Sequence, residues 1–315
     1  MKLIIIPLMA FFLAVAFVFL SKKLAHRFRI FDYPNSKLSI HENPIPLLGG
    51  LGIFLAVLMT LTISFIFILN PVGFLTMLGI FLGGALSFLL GLWDDLNWKA
   101  IVTRITYKKK FIFQLVISIV IAMFLSAGGL SIKFNPLGIF GVLFVAFYIL
   151  GGMNAVNLQD GLDGLAAGLV AISTAGFVVL SILSGNNFGL ILSLAVMGGA
   201  LGFLLYNFHP ASIFMGDNGS YFLGFLVATL AIVHTSGPDD LRWFIGPVLV
   251  IGFPVADCAL SILRRILQRK SIFQGDREHI YDRMIKKGVS VRATVLICYL
   301  IQVGFVAWGI GLTQL

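Results

Sequence analysis

Leu3-Ile4-Ile5-Ile6-Pro7-Leu8-Met9-Ala10-Phe11-Phe12-Leu13-Ala14-Val15-Ala16-Phe17-Val18-Phe19-Leu20 decides the fold class. It contains no charged residue, and Lys22, Lys23, Arg27 and Arg29 follow it closely. A helix of roughly 17–25 apolar residues crosses the hydrocarbon of a bilayer. A cleaved signal sequence has an apolar run of about 7–15 residues and then a small-residue cleavage site. Here the run is longer and ends in cations, so it reads as a retained first span.

Working outward, nine more runs follow: Leu47–Leu69, Gly73–Leu92, Phe111–Ala127, Leu137–Met153, Leu165–Leu183, Phe188–Tyr206, Tyr221–His234, Trp243–Leu263 and Ala293–Leu312. The run at Tyr221 is short for a span, so its helix is expected to begin upstream in the polar segment before it. The chain of 315 residues is 59% hydrophobic and 11% charged, with a mean hydropathy of +1.03. A soluble domain is about 25% charged. Composition therefore excludes a soluble globular enzyme, a disordered chain and a nucleic-acid binder with a basic face. The expected fold is an all-α polytopic integral membrane protein, one domain over residues 1–315, with about ten transmembrane helices. Cys258 and Cys298 lie in apolar runs without a metal-ligand partner and read as buried thiols.

The charges fall on one side. Loops 21–46, 93–110, 154–164, 207–220 and 264–292 carry 19 of the 22 Lys and Arg residues, leaving Lys2, Lys133 and Arg242 for the other side. By the positive-inside rule these five loops are cytoplasmic and both termini extracytoplasmic. Ten of the 13 acids share those loops; Asp239 and Asp240 lie opposite, and Asp257 is the one acid within a span. A transporter is expected to place coupling carboxylates near the bilayer midplane. Acids gathered at one surface point instead to interfacial chemistry.

Asp94-Asp95 closes a span, where the helix dipole disfavours anions; alone, the pair reads as a solvated helix end. Lys110 and Gln114, four apart, can face one pocket. In Asn154-Ala155-Val156-Asn157-Leu158-Gln159-Asp160-Gly161-Leu162-Asp163-Gly164, polar residues recur every third position, which a plain loop does not need. Such oxygen ligands suit a hard cation, Mg2+ or Mn2+ in its place. In Asn207-Phe208-His209-Pro210-Ala211-Ser212-Ile213-Phe214-Met215-Gly216-Asp217-Asn218-Gly219-Ser220, either Asp217 or Asn218 is expected to cap the next helix, whose N-terminus also suits an anion. A helix over 276–287 would put His279, Arg283 and Lys286 on one stripe, an amphipathic helix at the membrane surface. Asp257 precedes Arg264 by two turns, so a structural Asp–Arg contact is expected. His26 and His234 read as surface or interface residues, and Gly49-Gly50, Gly83-Gly84 and Gly198-Gly199 as points of close helix packing.

Together these segments resemble the polyprenyl-phosphate N-acetylhexosaminyl-1-phosphate transferases (the WecA/TagO-like enzymes) and, more distantly, phospho-MurNAc-pentapeptide translocase. The matching pieces are His41-x-x-Pro44-x-Pro46-x-x-Gly49-Gly50, Asp94-Asp95, Lys110-x-x-x-Gln114, the 154–164 segment, the 207–220 segment, and Arg264-Arg265 with Asp276-x-x-His279. The resemblance implies Mg2+-dependent transfer of a sugar 1-phosphate, most plainly N-acetylglucosamine 1-phosphate, from a UDP-sugar to undecaprenyl phosphate or a similar lipid. UMP is released, at the cytoplasmic face of a bacterial inner membrane, as the first membrane step of a cell-envelope glycan. It implies Asn157 and Asp217 as metal ligands. It makes Asp94, Asp95, Asp160 and Asp163 active-site acids, and Lys110, Asn154, Asn207, Phe214, Arg264, His279 and Arg283 substrate contacts. A homodimer is implied, and no nucleic-acid partner. Two departures stand out. His279-Ile280-Tyr281-Asp282-Arg283 replaces a His-x-His-His-Arg cluster, and Ser39 and Glu42 stand where relatives carry cations, for which Lys37 could substitute. The competing readings are the same reaction with a different UDP-sugar donor, a lipid-linked-sugar flippase or transporter, and a basic membrane anchor.

Overall fold

Hydrocarbon solvent forces every backbone amide to be satisfied within its own segment, and the chain answers with helices. The computed structural model describes residues 2–34, 43–67, 73–97, 106–130, 139–236, 240–272 and 276–315. Along the chain run α1 (Lys2–Arg27), β1 (Phe31–Asp32), β2 (Ile45–Pro46), α2 (Gly49–Phe67), α3 (Phe74–Asn97), α4 (Tyr107–Ala127) and α5 (Ile139–Gln159). After these come α6 (Leu165–Ser184), α7 (Asn187–Asn207), α8 (Gly216–Thr235), α9 (Leu241–Val250), α10 (Gly252–Leu267), α11 (Ile280–Lys286) and α12 (Val291–Gln314). Among the described residues nine helices are long and apolar enough to span, or ten if the bent pair α9–α10 counts as one. The protein is an all-α polytopic membrane protein. His41, Lys37, Ser39, Glu42, Lys133 and Asp239 lie outside the described residues.

The helices divide by what surrounds them. In α8, 94% of the most apolar window is buried, against 22% in α1 and α12. So α8 is the central helix, as its low hydropathy of 1.2 allows, while α1 and α12 present their apolar flanks outward. Around α8 stand α2, α3, α5, α6, α7 and α9. Close approach depends on missing side chains: a Cβ on Gly152 of α5 would lie 2.7 Å from the Gly224 carbonyl of α8, and one on Gly91 of α3 would enter the Asp217–Asn218 backbone. Phe54, stacked on Phe88 at 4.2 Å and edge-on to Phe222 at 5.2 Å, joins α2, α3 and α8. The paired glycines behave as expected: Gly83 and Gly84 face Phe225 and Phe222, and Gly198 faces the Pro7 backbone of α1.

Three expectations need correction. The span Trp243–Leu263 is not one straight helix, because α9 and α10 meet at 85°. The turn at Ile251-Gly252 precedes Pro254, which has no N–H to continue a helical ladder. His234 is not a surface residue: it is 1% exposed, stacks on Phe177 and bonds to Ser181 at 3.1 Å. The helix expected over 276–287 is only α11, and His279 is its N-cap rather than part of its exposed stripe. The short span at Tyr221 does begin upstream, at Gly216.

Candidate active site

The described parts of the five charged segments meet at one end of the bundle. The first reaches the site through β1 and β2, an antiparallel pair in the register Phe31↔Pro46 and Asp32↔Ile45. From there the Pro46 carbonyl accepts from Phe214 N–H at 2.8 Å, and Gly49 and Gly50 N–H donate to the carbonyls of Phe214 and Met215, each at 2.9 Å. The N-terminus of α2 is thereby tied to the segment that starts α8.

That start is unusual. Gly216 has φ +75°, a conformation in which a side chain is strained, and a Cβ there would lie 2.7 Å from Asp95 Oδ2. Neither Asp217 nor Asn218 caps α8, whose N-cap is Met215 without a side-chain cap. Asp95 of α3 caps it instead, accepting from the N–H groups of Asp217 at 2.9 Å and Asn218 at 3.0 Å, and from the Asn218 side chain. The anion expected at this helix N-terminus is therefore a carboxylate of the protein itself, 7% exposed. The dipole that disfavours Asp95 at the end of α3 is offset by the positive end of α8.

Asp94 points elsewhere. The Lys110 ammonium, in the first turn of α4, pairs with Asp94 and with Asp217 Oδ2, the latter at 2.7 Å. Asn157 Nδ2 donates to Asp217 Oδ1 at 2.6 Å and to Ser220 Oγ at 2.9 Å. The Tyr221 hydroxyl donates to Asp217 Oδ2 at 3.4 Å, and Lys110 Nζ lies 5.0 Å from the centre of that ring. One turn along α4, buried Gln114 accepts from Asn154 Nδ2 at 3.2 Å. Asp94, Lys110, Asn157 and Asp217 thus form one cluster, and Asn154 is tied to Gln114 beside it. All of these residues lie in helices rather than loops, since α3, α4, α5 and α8 run further than the apolar runs suggest.

Asp160 and Asp163 follow immediately. Removal from solvent, and then the charges of Asp217, Asp95 and Asp163, push the Asp160 carboxyl well above the ordinary range, against a hydrogen bond from the Gly216 backbone. Asp163 accepts from His209 Nδ1 at 2.7 Å and Ala211 N–H at 3.0 Å. Asn207 is 3% exposed. Its carbonyl accepts from Gly164 N–H and its amide donates to the Ile213 carbonyl, each at 3.0 Å. Through these two bonds it braces the loops on either side. Phe214 is half-buried at the rim.

A second layer lies beside the first. Asp257 does not pair with Arg264, as its spacing suggested: its Oδ2 accepts from His279 Nδ1 at 2.7 Å and Gln159 Nε2 at 3.0 Å, and its Oδ1 from Ile280 N–H at 2.9 Å. Arg264 pairs with Asp276 at 2.8 Å and also donates to the Glu278 carbonyl. Arg265 reaches Asp276 at 3.1 Å. Burial alone would raise the Asp276 carboxyl, but Arg265 and Arg264 hold it at about 2. Arg283 is more than half exposed, 3.8 Å from Glu278. Among the described residues neither Arg264 nor Arg283 bonds to the acidic cluster.

Sequence reading missed Ser220, Tyr221, His209, Gln159 and Asp257. Tyr221 follows Asp217 by one helical turn, a spacing that was legible. Ser220, three residues after Asp217 in the same helix, was legible on the same ground, whereas His209, Gln159 and Asp257 are brought in by tertiary contact.

Among the described residues no group of three or more His, Cys, Asp or Glu could hold a metal. The available donors are the carboxylates of Asp94 and Asp217, about a quarter exposed, and the Asn157 amide. Mg2+ is commonly bound by one or two carboxylates with waters and substrate phosphates. The donor set fits that pattern, with Lys110 as the resident counter-charge.

The fold and site together are those of a polytopic membrane protein with a lysine held between two carboxylates at one end of its helical bundle. The comparisons give its class: the family model for glycosyl transferase family 4 matches residues 77–235. A probable undecaprenyl-phosphate N-acetylglucosaminyl 1-phosphate transferase of Bacillus subtilis (strain 168) is 36% identical over 291 residues, 90% of this chain and 77% of the relative. A decaprenyl-phosphate N-acetylglucosaminephosphotransferase of Mycobacterium leprae (strain TN) is 32% identical over 321 residues, 92% and 78% of the two chains. A phospho-N-acetylmuramoyl-pentapeptide-transferase of Staphylococcus carnosus (strain TM300) is 36% identical over 240 residues, 71% of each. The chain belongs to glycosyl transferase family 4, and it is a phospho-sugar transferase.

Proposed function

We propose that the chain transfers N-acetylglucosamine 1-phosphate from UDP-GlcNAc to a polyprenyl phosphate, undecaprenyl phosphate in the first instance, and releases UMP. The reaction takes place at the cytoplasmic face of a bacterial inner membrane, as an early step toward a cell-envelope glycan. The observation that carries this reading is the Asp94–Lys110–Asp217–Asn157 cluster. It occurs in a chain whose relatives are named for this transfer.

An oxygen of the lipid phosphate bonds to the sugar-bearing phosphorus of UDP-GlcNAc. The bond from that phosphorus to the bridging oxygen breaks, and UMP leaves with the electron pair. Such transfers need little besides alignment and stabilisation of charge. Lys110, fixed from two sides by Asp94 and Asp217, is a preorganised positive charge for the phosphoryl oxygens. Asp217 and Asn157, with Asp94 alongside, would hold Mg2+, which when bound supplies positive charge against the leaving UMP. A phosphate monoester has a second pKa of about 6, so the lipid phosphate is largely dianionic at neutral pH and needs no base. Asp94 accordingly orients the acceptor through Lys110. Asp95, Asp163 and Asn207 hold the loops that shape the pocket.

The test is purified protein in detergent with undecaprenyl phosphate, Mg2+ and a panel of UDP-sugars, with the lipid product identified by mass spectrometry. UDP-GlcNAc is expected to give the lipid-diphosphate sugar. Transfer of another sugar alone would overturn the donor assignment, and no product with any donor would overturn the reaction.

A further inference from the structure

Asp257 has no task in the reaction as outlined, yet its carboxylate is among the most constrained groups in the chain. It lies near the start of α10, just past the break, and is 1% exposed. A buried carboxylate is costly unless its lone pairs are satisfied. Here they are, by Ile280 N–H, Gln159 Nε2 and His279 Nδ1. Gln159 stands two residues beyond Asn157, so Asp257 is anchored to the same helix end that holds Asp217.

The imidazole of His279 is restrained from its other sides as well. It lies nearly parallel to the Tyr281 ring at 5.4 Å, and the Tyr281 hydroxyl donates to the Leu158 carbonyl at 2.9 Å. The Asp282 carboxylate accepts from the His279 backbone N–H at 3.3 Å, which fixes the main chain that carries the ring. Ser261 Oγ is 3.2 Å from Nδ1. An ionised carboxylate only accepts hydrogen bonds, so the hydrogen sits on Nδ1. Nε2 is then the open nitrogen: among the described residues it has no hydrogen-bond partner, and it is not one of the buried polar atoms left without one.

We infer that Asp257 is a positioning residue for the transfer, holding His279 with Nδ1–H turned inward and Nε2 presented to the diphosphate of the nucleotide-sugar donor. In the imidazolium form Nε2 carries a hydrogen, and that N–H donates to a phosphoryl oxygen. This rests on reading His279 as a donor contact. Carboxylates that orient a histidine in this way at metal sites are worth about 10–100-fold in function.

The experiment is UMP release by wild type, Asp257→Asn, His279→Ala and the double variant, in detergent, with UDP-GlcNAc and undecaprenyl phosphate varied separately. An inactive wild type would remove the proposed function and leave no cycle to measure. With an active wild type, each single variant is expected to lose about 10–100-fold in kcat/KM for UDP-GlcNAc while the lipid KM holds. The double variant is expected to be no worse than His279→Ala. Wild-type activity in Asp257→Asn, a further loss in the double variant, or an effect confined to the lipid KM would overturn the inference. Should Asp257→Asn fail to give a cooperative melting transition, Asp257→Glu decides the matter, because it keeps the charge and the acceptor. Recovery of at least a third of wild-type activity supports the positioning role. An inactive or unfolded Asp257→Glu contradicts it, since the residue would then serve the fold alone.

Discussion

Adjacent residues on a helix leave it about 100° apart, and Asp94 and Asp95 use that divergence to do different work. Asp94 faces Lys110, and Asp95 caps α8. Asp95→Ala removes the cap and leaves the Asn218 amide short of a partner, a loss of about 1–3 kcal/mol. Thermal unfolding in detergent should show a clear fall in melting temperature, with activity lost alongside. Asp94→Asn should melt close to wild type but transfer more slowly at every pH. Disappearance of only the acidic limb of its pH–rate profile would instead mark Asp94 as a base. Lys110, Gln114, Asn154, Asn157 and Asp217 were legible because spacing alone puts them near helix ends. The cap by Asp95 was not, because its acceptor and donors are separated by more than a hundred residues.

At the scale of the element, the break between α9 and α10 frees backbone groups where no water is expected to satisfy them. Gln302 of α12 meets that need. Its carbonyl accepts from Phe253 N–H at 3.0 Å, and its amide donates to the Val250 carbonyl at 2.7 Å and Ser173 Oγ at 2.8 Å. Gln302→Leu strands these groups, so a loss of about 1–3 kcal/mol is expected, read as a lower melting temperature; an unchanged melt would deny the bracing role. Gly252 and Pro254 announced this break in the sequence, but apolar content ran on through them and the span was drawn straight. Beyond α10, Asp276 joins Arg264 and Arg265, and its folded-state pKa of about 2 is below the unfolded value near 3.9. Its contribution is therefore complete above the unfolded value and is lost as pH falls toward 2. Asp276→Asn should melt lower than wild type by a constant margin from pH 8 to 5, and the margin should narrow below about pH 4. A margin independent of pH would show that the ion pairs contribute nothing.

For the whole molecule, the sequence pattern carried further than for any single helix. The alternation of apolar runs and charged loops placed 19 of 22 cations on one side, and the structure brings those same loops together at one end of the bundle. Periodicity could not reveal which loop touches which, because α8 is surrounded on all sides and its partners are chosen by shape. Gly91 is such a point: with no room for a Cβ against α8, Gly91→Ala should push α3 away and cost both stability and transfer. The central claim is that these loops form one site for moving a sugar phosphate onto a lipid phosphate. Its most direct test is UMP release from UDP-GlcNAc in the presence of undecaprenyl phosphate and Mg2+, comparing wild type with a folded Asp217→Ala variant. The account predicts lipid-dependent release by wild type and a loss of at least about 100-fold in the variant. Equal release by the two proteins, or release that ignores the lipid, would contradict it.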